Sequence, residues 1–254
     1  MTSRRTASSA PAALRVLTTY PRSGTHWLKG MLSAALEIPP LEARLEDPVA
    51  LGEALDRDGG TALIYEHLRY SQHGAVVTAP RALPLQLIVL DRHPFDQIIS
   101  QLSKMISEGF APPASGSPQE VARAFVLGEL DSELGYDWPD FFCREYDDRV
   151  LDWLGPPHAL RVRYDDLVAE PEKELGRCLD HFGVADVDPA TIVPNFSFES
   201  LSGGRSPGEM DESSHYRRGL AGEWRRVFQR SDADRLRRLY HDTFDRLGYS
   251  LEIE

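Results

Sequence analysis

The sequence predicts an α/β domain of three layers, in which helices flank a mostly parallel sheet and a P-loop-like phosphate-binding loop follows the first strand. Two observations support this fold class. Short, almost uninterrupted apolar runs such as Leu85–Leu90 are typical of strands that are covered on both faces. Stretches with helical periodicity separate these runs, and strands that alternate with helices indicate a parallel sheet with crossover helices. A chain of 254 residues is long enough for one well-buried domain.

The elements follow in chain order from these two patterns. Apolar runs predict strands at Leu14–Thr19, Ala62–Glu66, Leu85–Leu90 and Ala159–Tyr164. Periodicity near 3.6 residues predicts helices at His26–Leu36, Phe95–Ile106, Pro118–Leu130, Pro139–Leu154, Glu170–Phe182 and Ala233–Leu247. Residues 1–13 are small and polar and are expected to form a disordered tail, which leaves 14–254 as a single domain. Two further segments, Glu108–Pro118 and Ser202–Ser214, have the composition of long loops, which in compact domains are usually lids, binding loops or disordered segments.

Composition excludes several classes of function. The net charge of -12 argues against nonspecific binding to nucleic acid, whose phosphates the average surface would repel. No run of eighteen apolar residues is present, so a membrane span is not expected. Cys143 and Cys178 make neither a disulfide framework nor a metal site, which favours a reducing cytoplasm. Only three of the 28 basic residues are lysines, a bias that suggests a GC-rich bacterial genome.

The segment Tyr20-Pro-Arg-Ser-Gly-Thr-His-Trp27 lies between the first strand and the first helix. A turn there directs free backbone N–H groups and the positive end of the helix dipole to one point, which favours an anion. Ser23 and Thr25 add hydroxyl donors, and Arg22 adds a fixed charge. The alternative is an ordinary helix start that Ser23 or Thr25 caps. A Walker A loop is disfavoured because the segment contains no lysine.

A second set of candidate anion ligands comes from two later segments. Arg92 lies just before Pro94, which suits the first position of a helix, and Ser100 lies about two turns further along. Arg217 and Arg218 precede Gly219, an arrangement that suits a phosphate clamp because glycine lets the backbone approach the anion. Each set, taken alone, is equally compatible with solvated surface residues.

Taken together, the segments resemble one known family. Their order and spacing are similar to those of cytosolic-type sulfotransferases that use 3′-phosphoadenosine 5′-phosphosulfate (PAPS). The matching motifs are Tyr-Pro-x-Ser-Gly-Thr-x-Trp, Arg-x7-Ser, Tyr-x-Asp-Leu and Arg-x-Gly-x-x-Gly-x-Trp, found at Tyr20–Trp27, Arg92–Ser100, Tyr164–Leu167 and Arg217–Trp224. One such motif is weak support, but four in the right order are specific. The resemblance runs from about Leu14 to Tyr249.

The resemblance implies a role for each matching residue. The 5′-phosphate and sulfate would be held by Arg22, Ser23, Gly24, Thr25, His26 and Trp27, with Arg22 in place of the family's usual lysine. The 3′-phosphate would be held by Arg92, Ser100, Arg217, Arg218 and Gly219. The adenine would lie between Trp27 and Phe198 and reach Tyr164, although both flanking rings could instead be core residues. His67, at the end of the second strand, would be the catalytic base, aided by Arg22 at the departing phosphate.

Some positions depart from the family pattern. Tyr65 stands where the family often has a lysine, Glu66 directly precedes the base, and His26 replaces the second threonine of the loop. Phe196 stands where a threonine is common. These changes affect the expected contacts of the sulfate and the adenine, whereas the predicted phosphate clamps remain.

The acceptor is expected to be a small-molecule hydroxyl, on a bacterial natural product that is a phenol, a sugar or a nucleoside. Its walls would come from the two long loops and from Trp138, Phe141 and Phe142, which could equally be core residues. PAPS would be the donor and PAP the product, with no metal, no nucleic-acid partner and no membrane. The oligomeric state is left open, a homodimer included. The alternative functions are a P-loop kinase-like nucleotide enzyme and a noncatalytic nucleotide-binding module.

Overall fold

The computed structural model describes residues 13–41, 53, 55–56, 62–66, 84–109, 116–130, 147–155 and 158–253. Within these ranges the sheet has four strands: β1 (Leu14–Thr19), β2 (Ala62–Glu66), β3 (Leu85–Asp91) and β4 (Ala159–Arg163). All neighbouring strands are parallel, in the order β2-β1-β3-β4. The predicted fold class is confirmed, and the strand bounds agree with the predicted ones to within one residue.

Helices follow the strands as the periodicity predicts. Their bounds are Thr25–Leu36 (α1), Pro94–Ser107 (α2), Pro118–Val126 (α3), Asp147–Leu154 (α4), Tyr164–Ala169 (α5), Pro171–His181 (α6), Pro189–Ile192 (α7), Phe198–Ser202 (α8), Trp224–Val227 (α9) and Ala233–Leu247 (α10). Two short 3-10 helices lie at Val193–Phe196 and Arg230–Asp232. The predicted bounds of α10 are confirmed.

Some predicted bounds of helices and strands are wrong. The predicted helix Pro118–Leu130 ends at Val126, because Gly128 takes a left-handed φ of 65° and turns the chain. The predicted strand end at Tyr164 is the first residue of α5. The predicted helix Pro139–Leu154 is described only from Asp147, since residues 139–146 lie outside the described ranges.

Alternating strand residues cover the two faces of the sheet. On one face, Leu17 and Ile88 pack with α1 and α6 in a fully buried apolar cluster. On the other face, Val16 and Leu87 pack in a second cluster against Leu154 of α4. A third cluster joins α2, α3, α9 and α10. This arrangement gives the three layers that the apolar runs predict.

The sheet brings the predicted anion ligands to one edge. Because β1 and β3 are parallel neighbours, with Thr19 opposite Leu90, the loop after β1 lies next to the residues that follow β3. Asp91, the last residue of β3, pairs with Arg163, which directly precedes Tyr164. Ligand sites of parallel α/β sheets lie at this carboxyl edge.

Candidate functional site

A cavity of about 230 Å³ opens at the carboxyl edge of the sheet. Its walls come from the β1–α1 loop, from the start of α2, from Tyr164 and from residues between 196 and 220. The lining residues are Pro21, Arg22, Gly24, Thr25, His26, Trp27, Arg92, Ser100, Tyr164, Phe196, Phe198, Leu201, His215, Tyr216, Arg217, Arg218, Gly219 and Leu220. All the residues predicted to hold the donor nucleotide, except Ser23, therefore line this one cavity.

The β1–α1 loop is shaped by its backbone conformation and not by a capping side chain. Gly24 occupies the N-cap position with a left-handed φ of 98°, and no side chain among the described residues caps α1. Thr25 Oγ1 instead lies 2.6 Å from Thr19 Oγ1. The Ser23 hydroxyl is buried and has no hydrogen-bond partner among the described residues. The alternative interpretation, in which Ser23 or Thr25 caps the helix, is thus wrong.

Side chains of α2 and its leading residue fix this loop in place. Gln97 Nε2 donates to the carbonyl of Pro21 at 2.7 Å, and Arg92 Nη1 donates to the carbonyl of Arg22 at 3.1 Å. Arg22, which has a left-handed φ of 71°, donates from Nε to Ser100 Oγ at 3.2 Å. A non-glycine residue in this region costs free energy, and such residues persist where surrounding contacts over-determine them. The sequence does not predict this role of Gln97. Its one sequence signal is an amide side chain on a buried face of the helix.

Tyr164 fills the space between the loop and Arg92. A Cβ atom at Gly24 would lie 2.7 Å from the Tyr164 ring, so only glycine allows this close approach. The guanidinium of Arg92 stacks 4.5 Å from the centre of the same ring, and Trp27 meets the ring edge-on at 6.2 Å. Burial raises the pKa of Tyr164, although Arg92 opposes the shift. The phenol is neutral at physiological pH and can act as a hydrogen-bond donor.

Arg217 and Arg218 are held on the cavity wall by Glu223. Arg217 is 5% exposed, and both of its terminal nitrogens donate to the Glu223 carboxylate. Nη1 of Arg218 lies 3.6 Å from the same carboxylate. Burial opposes ionisation, yet the Glu223 contact raises the pKa of Arg217, which therefore stays charged. Gly219 follows with a φ of 69°, and a Cβ there would lie 2.3 Å from the Phe198 ring. Phe198 thus packs directly on the backbone of the predicted clamp.

Asp96 positions this arginine segment, a role that was not predicted from the sequence. Its two carboxylate oxygens accept from the backbone N–H groups of Gly222 at 2.7 Å and Trp224 at 2.8 Å. Burial raises the pKa of Asp96, whereas Arg92 and the two N–H groups oppose that shift. In the sequence this residue is simply an acid in the first turn of a helix, where the helix dipole already favours it.

Residues 202–214, predicted as a loop, pack on the backbone of the clamp. Gly208 N–H donates to the carbonyl of Arg218 at 2.9 Å, and Asp211 N–H donates to that of Arg217 at 3.0 Å. Arg205 adds a bond from Nη1 to the Arg217 carbonyl at 3.1 Å. These bonds engage the carbonyls of both clamp arginines, and their side chains line the cavity.

The cavity is strongly cationic in a chain of net negative charge. Burial lowers the pKa of Arg22, and the nearby charges of Arg92 and Arg217 lower it further. The contributions of Arg92 and Arg217 reflect repulsion between guanidinium groups, which Glu108 partly offsets. An anion bound among them would relieve the repulsion.

The family comparison agrees with this geometry. The model of the sulfotransferase domain family matches residues 15–248, which is most of the chain. The chain belongs to the sulfotransferase domain family.

Relatives of this sulfotransferase include animal and biosynthetic enzymes. Sulfotransferase 6B1 of Danio rerio is 22% identical over 244 residues, an alignment that covers 89% of this chain and 76% of that protein. The crystal structure of mouse sulfotransferase SULT7A1 complexed with PAP has a TM-score of 0.63 at 19% identity and covers 95% of this chain and 90% of its own. The sulfotransferase domain from the curacin biosynthetic pathway has a TM-score of 0.51 at 15% identity and covers 96% of this chain and 100% of its own.

Several predicted parts of the sulfotransferase lie outside the described residues. These include the predicted base His67, the three aromatic residues Trp138, Phe141 and Phe142, and residues 110–115 of the first long loop. β2 ends at Glu66, which pairs with Thr18 of β1, so the described part of that strand ends beside the cavity loop. Among the described residues, no helix is long and apolar enough to cross a membrane.

Proposed function

We propose that this sulfotransferase transfers a sulfuryl group from PAPS to the hydroxyl of a small-molecule acceptor and releases PAP. The observation that supports the proposal is that the two sets of residues predicted to bind phosphate, together with two aromatic side chains, line the same cavity. A nucleotide with phosphate groups on both its 3′ and 5′ oxygens would use both sets. A nucleotide with a 5′ chain alone would leave one set without a partner.

The 3′-phosphate would bind to the clamp formed by Arg92, Ser100, Arg217, Arg218 and Gly219. Charged donors on one side of a cavity make short, strong bonds to phosphate oxygens. Gly219, in its left-handed conformation, offers a backbone N–H where a side chain would collide with Phe198. The mouse relative was solved with PAP, the product that this proposal assigns to the present chain.

The 5′-phosphosulfate end would bind at residues 22–27. Gly24 and the uncapped start of α1 offer backbone N–H groups, and Arg22 adds a guanidinium that can bind two oxygens at once. Adenine would stack between Trp27 and Phe198 with its edge toward Tyr164. Ser23, which is buried and does not line the cavity, would support the loop from behind.

The transfer step needs a base, a hydroxyl that accepts the sulfuryl group, and stabilisation of the charge on the leaving phosphate. The acceptor oxygen would form a bond to sulfur while the bond from sulfur to the bridging oxygen of the 5′-phosphate breaks. His67 would take the proton that the hydroxyl loses. Arg22 would neutralise the charge that develops on the departing phosphate. Transfers of this kind depend mainly on positioning and on charge stabilisation, so the proposal requires no metal ion.

The acceptor would be a bacterial natural product with a phenolic, sugar or nucleoside hydroxyl. The relative from the curacin biosynthetic pathway is itself part of natural-product biosynthesis, which supports this class. A cytoplasmic location also stays a prediction, and the oligomeric state stays open. A kinase-like function and a noncatalytic binding function are both disfavoured, the first by the absence of a loop lysine and the second by the predicted base.

Thermal unfolding with matched nucleotides tests the proposal. PAP at a hundredfold excess over its Kd should stabilise the protein by about 2.7 kcal/mol, since a ligand that binds only the native state shifts unfolding by this amount. AMP and ADP, which lack the 3′-phosphate, should produce much smaller shifts at the same concentration. ATP serves as the kinase control. Equal stabilisation by PAP and AMP would contradict the 3′-phosphate clamp.

A further inference from the structure

Two histidines from different segments meet on the cavity wall. His26 is the second residue of α1, inside the predicted 5′-phosphate loop, and His215 lies two residues before Arg217. Their Nε2 atoms are 3.2 Å apart, and the ring centres are 4.6 Å apart at an interplanar angle of 60°. Both side chains line the cavity and are exposed to solvent.

This geometry limits the charge that the pair can carry. A hydrogen bond between two imidazole nitrogens needs one donor and one acceptor, so Nε2 of one ring must be unprotonated. The bonded pair is therefore either neutral or singly positive. A second proton would place two N–H groups against each other and break the bond.

Burial and the surrounding charges disfavour a proton on His215 in the absence of an anion. Burial lowers the pKa of His215, and the nearby cations Arg22 and Lys104 lower it further, whereas Glu108 raises it. Arg22 comes from the β1–α1 loop, and Lys104 and Glu108 come from the end of α2. A doubly or triply charged anion bound next to Thr25 would reverse this balance.

We propose that the His26–His215 pair is a proton-accepting part of the 5′-phosphate site, which takes up one proton from solvent when the 5′ end of the nucleotide binds. This inference rests on the proposed function, because it assigns the ligand at residues 22–27. The shared proton supplies a positive charge that the site carries only when an anion is present. The pair would thus bind the 5′ end, while proton abstraction from the acceptor stays with His67.

Calorimetry in several buffers measures the proton uptake directly. PAP is titrated into the enzyme at pH 7.5 in HEPES, MOPS and Tris, whose ionisation enthalpies differ, so the observed heat reports the number of protons taken up. We expect uptake approaching one proton per PAP. The affinity should fall by up to about tenfold per pH unit between the pKa of the free pair and the higher pKa of the PAP-bound pair. Adenosine 3′-monophosphate, which lacks the 5′-phosphate, should bind without this uptake.

Variants assign the proton to the pair. His215→Phe removes one of the two rings that share the proton, and His215→Gln keeps a hydrogen-bonding side chain that does not titrate. Both should lose the uptake and the associated pH dependence of PAP binding. The matched control is His241→Gln, an exposed histidine on α10, which should keep both. Melting temperatures confirm that each variant is folded.

The outcomes separate this inference from the proposed function. PAP that binds no better than AMP contradicts the proposed function. PAP that binds well with proton uptake unchanged in both His215 variants overturns the inference alone. If both variants lose PAP binding altogether, an NMR pH titration of the wild-type histidine resonances decides the question. A rise in the pKa of His215 with PAP supports the inference, and an unchanged pKa overturns it.

Discussion

Gly219→Ala should damage the nucleotide site far more than an alanine at a glycine of the same backbone conformation. Gly219 and Gly203 have left-handed φ values of 69° and 78°. A Cβ at Gly219 would lie 2.3 Å from the Phe198 ring, whereas a Cβ at Gly203 would have nothing within 4 Å. Gly203→Ala is therefore a matched control that has the same backbone strain without the collision.

The magnitudes follow from these contacts. The left-handed conformation costs alanine about 1–2 kcal/mol in either variant. Carbon atoms pack at about 3.5–4.0 Å, so in Gly219→Ala the Phe198 ring or the clamp must shift by roughly 1.2–1.7 Å. Overpacking of this kind costs about 1–3 kcal/mol more.

PAP titration and thermal unfolding of both variants provide the assay. We expect Gly219→Ala to unfold at a lower temperature than Gly203→Ala and to bind PAP at least about tenfold more weakly, a change of 1.4 kcal/mol. Gly203→Ala should bind PAP nearly as the wild type does. Wild-type PAP affinity in Gly219→Ala would refute the idea that Phe198 and the clamp backbone form one packed wall of the nucleotide site.

Three further predictions concern single side chains. His67→Ala should lower the single-turnover rate by about 10²–10⁴ and leave PAP affinity unchanged, because a general base contributes to the reaction and not to donor binding; a near-normal rate would remove His67 from the mechanism. Arg92→Ala should weaken PAP binding by about 1.5–3 kcal/mol. AMP binding should weaken less, through the lost support of the Arg22 carbonyl, and equal losses for the two nucleotides would show that Arg92 only shapes the loop. His93 is buried, stacks on Trp224 and donates from Nε2 to the Ser250 carbonyl, and burial lowers its pKa to about 3. Below pH 6.5 the unfolded chain binds a proton at His93, whereas His93 in the folded chain stays unprotonated. As the pH falls from 7 to 5, this group should therefore lower the free energy of unfolding by about 2 kcal/mol. Urea unfolding at both pH values should show a weaker pH dependence in His93→Phe, and an identical dependence would contradict the assignment.

The fold could be predicted because its elements repeat simple patterns. The apolar runs at β1 and β2 have the bounds that the sequence predicts, since buried parallel strands tolerate few polar residues. The start of α2 follows from Pro94, whose fixed φ suits the first helical position. Short helices such as Phe198–Ser202 were missed, because five residues do not establish a period.

The residues that line the cavity could be predicted better than the contacts that hold them. Arg92 and Ser100 belong to a recognisable spacing, and both lie on the cavity wall. Asp96 and Gln97 lie between them and act on backbone atoms more than 70 residues away in the sequence. Nothing local in the sequence shows such partners, because a carboxylate or an amide is equally suited to solvent.

These contacts make Arg92 and the first turn of α2 the common support of both proposed phosphate sites. Gln97 and Arg92 donate to carbonyls of the β1–α1 loop, the proposed 5′-phosphate site, and Asp96 accepts from the backbone that follows the proposed arginine clamp. Both segments are therefore bonded to the same helix and its leading residue, which constrains the distance between them. Separate flexible loops could bind phosphate groups at many spacings. Under the proposed function, a shared helical support would favour a nucleotide whose two phosphate positions have one fixed separation, and this would distinguish PAP from adenine nucleotides that lack the 3′-phosphate.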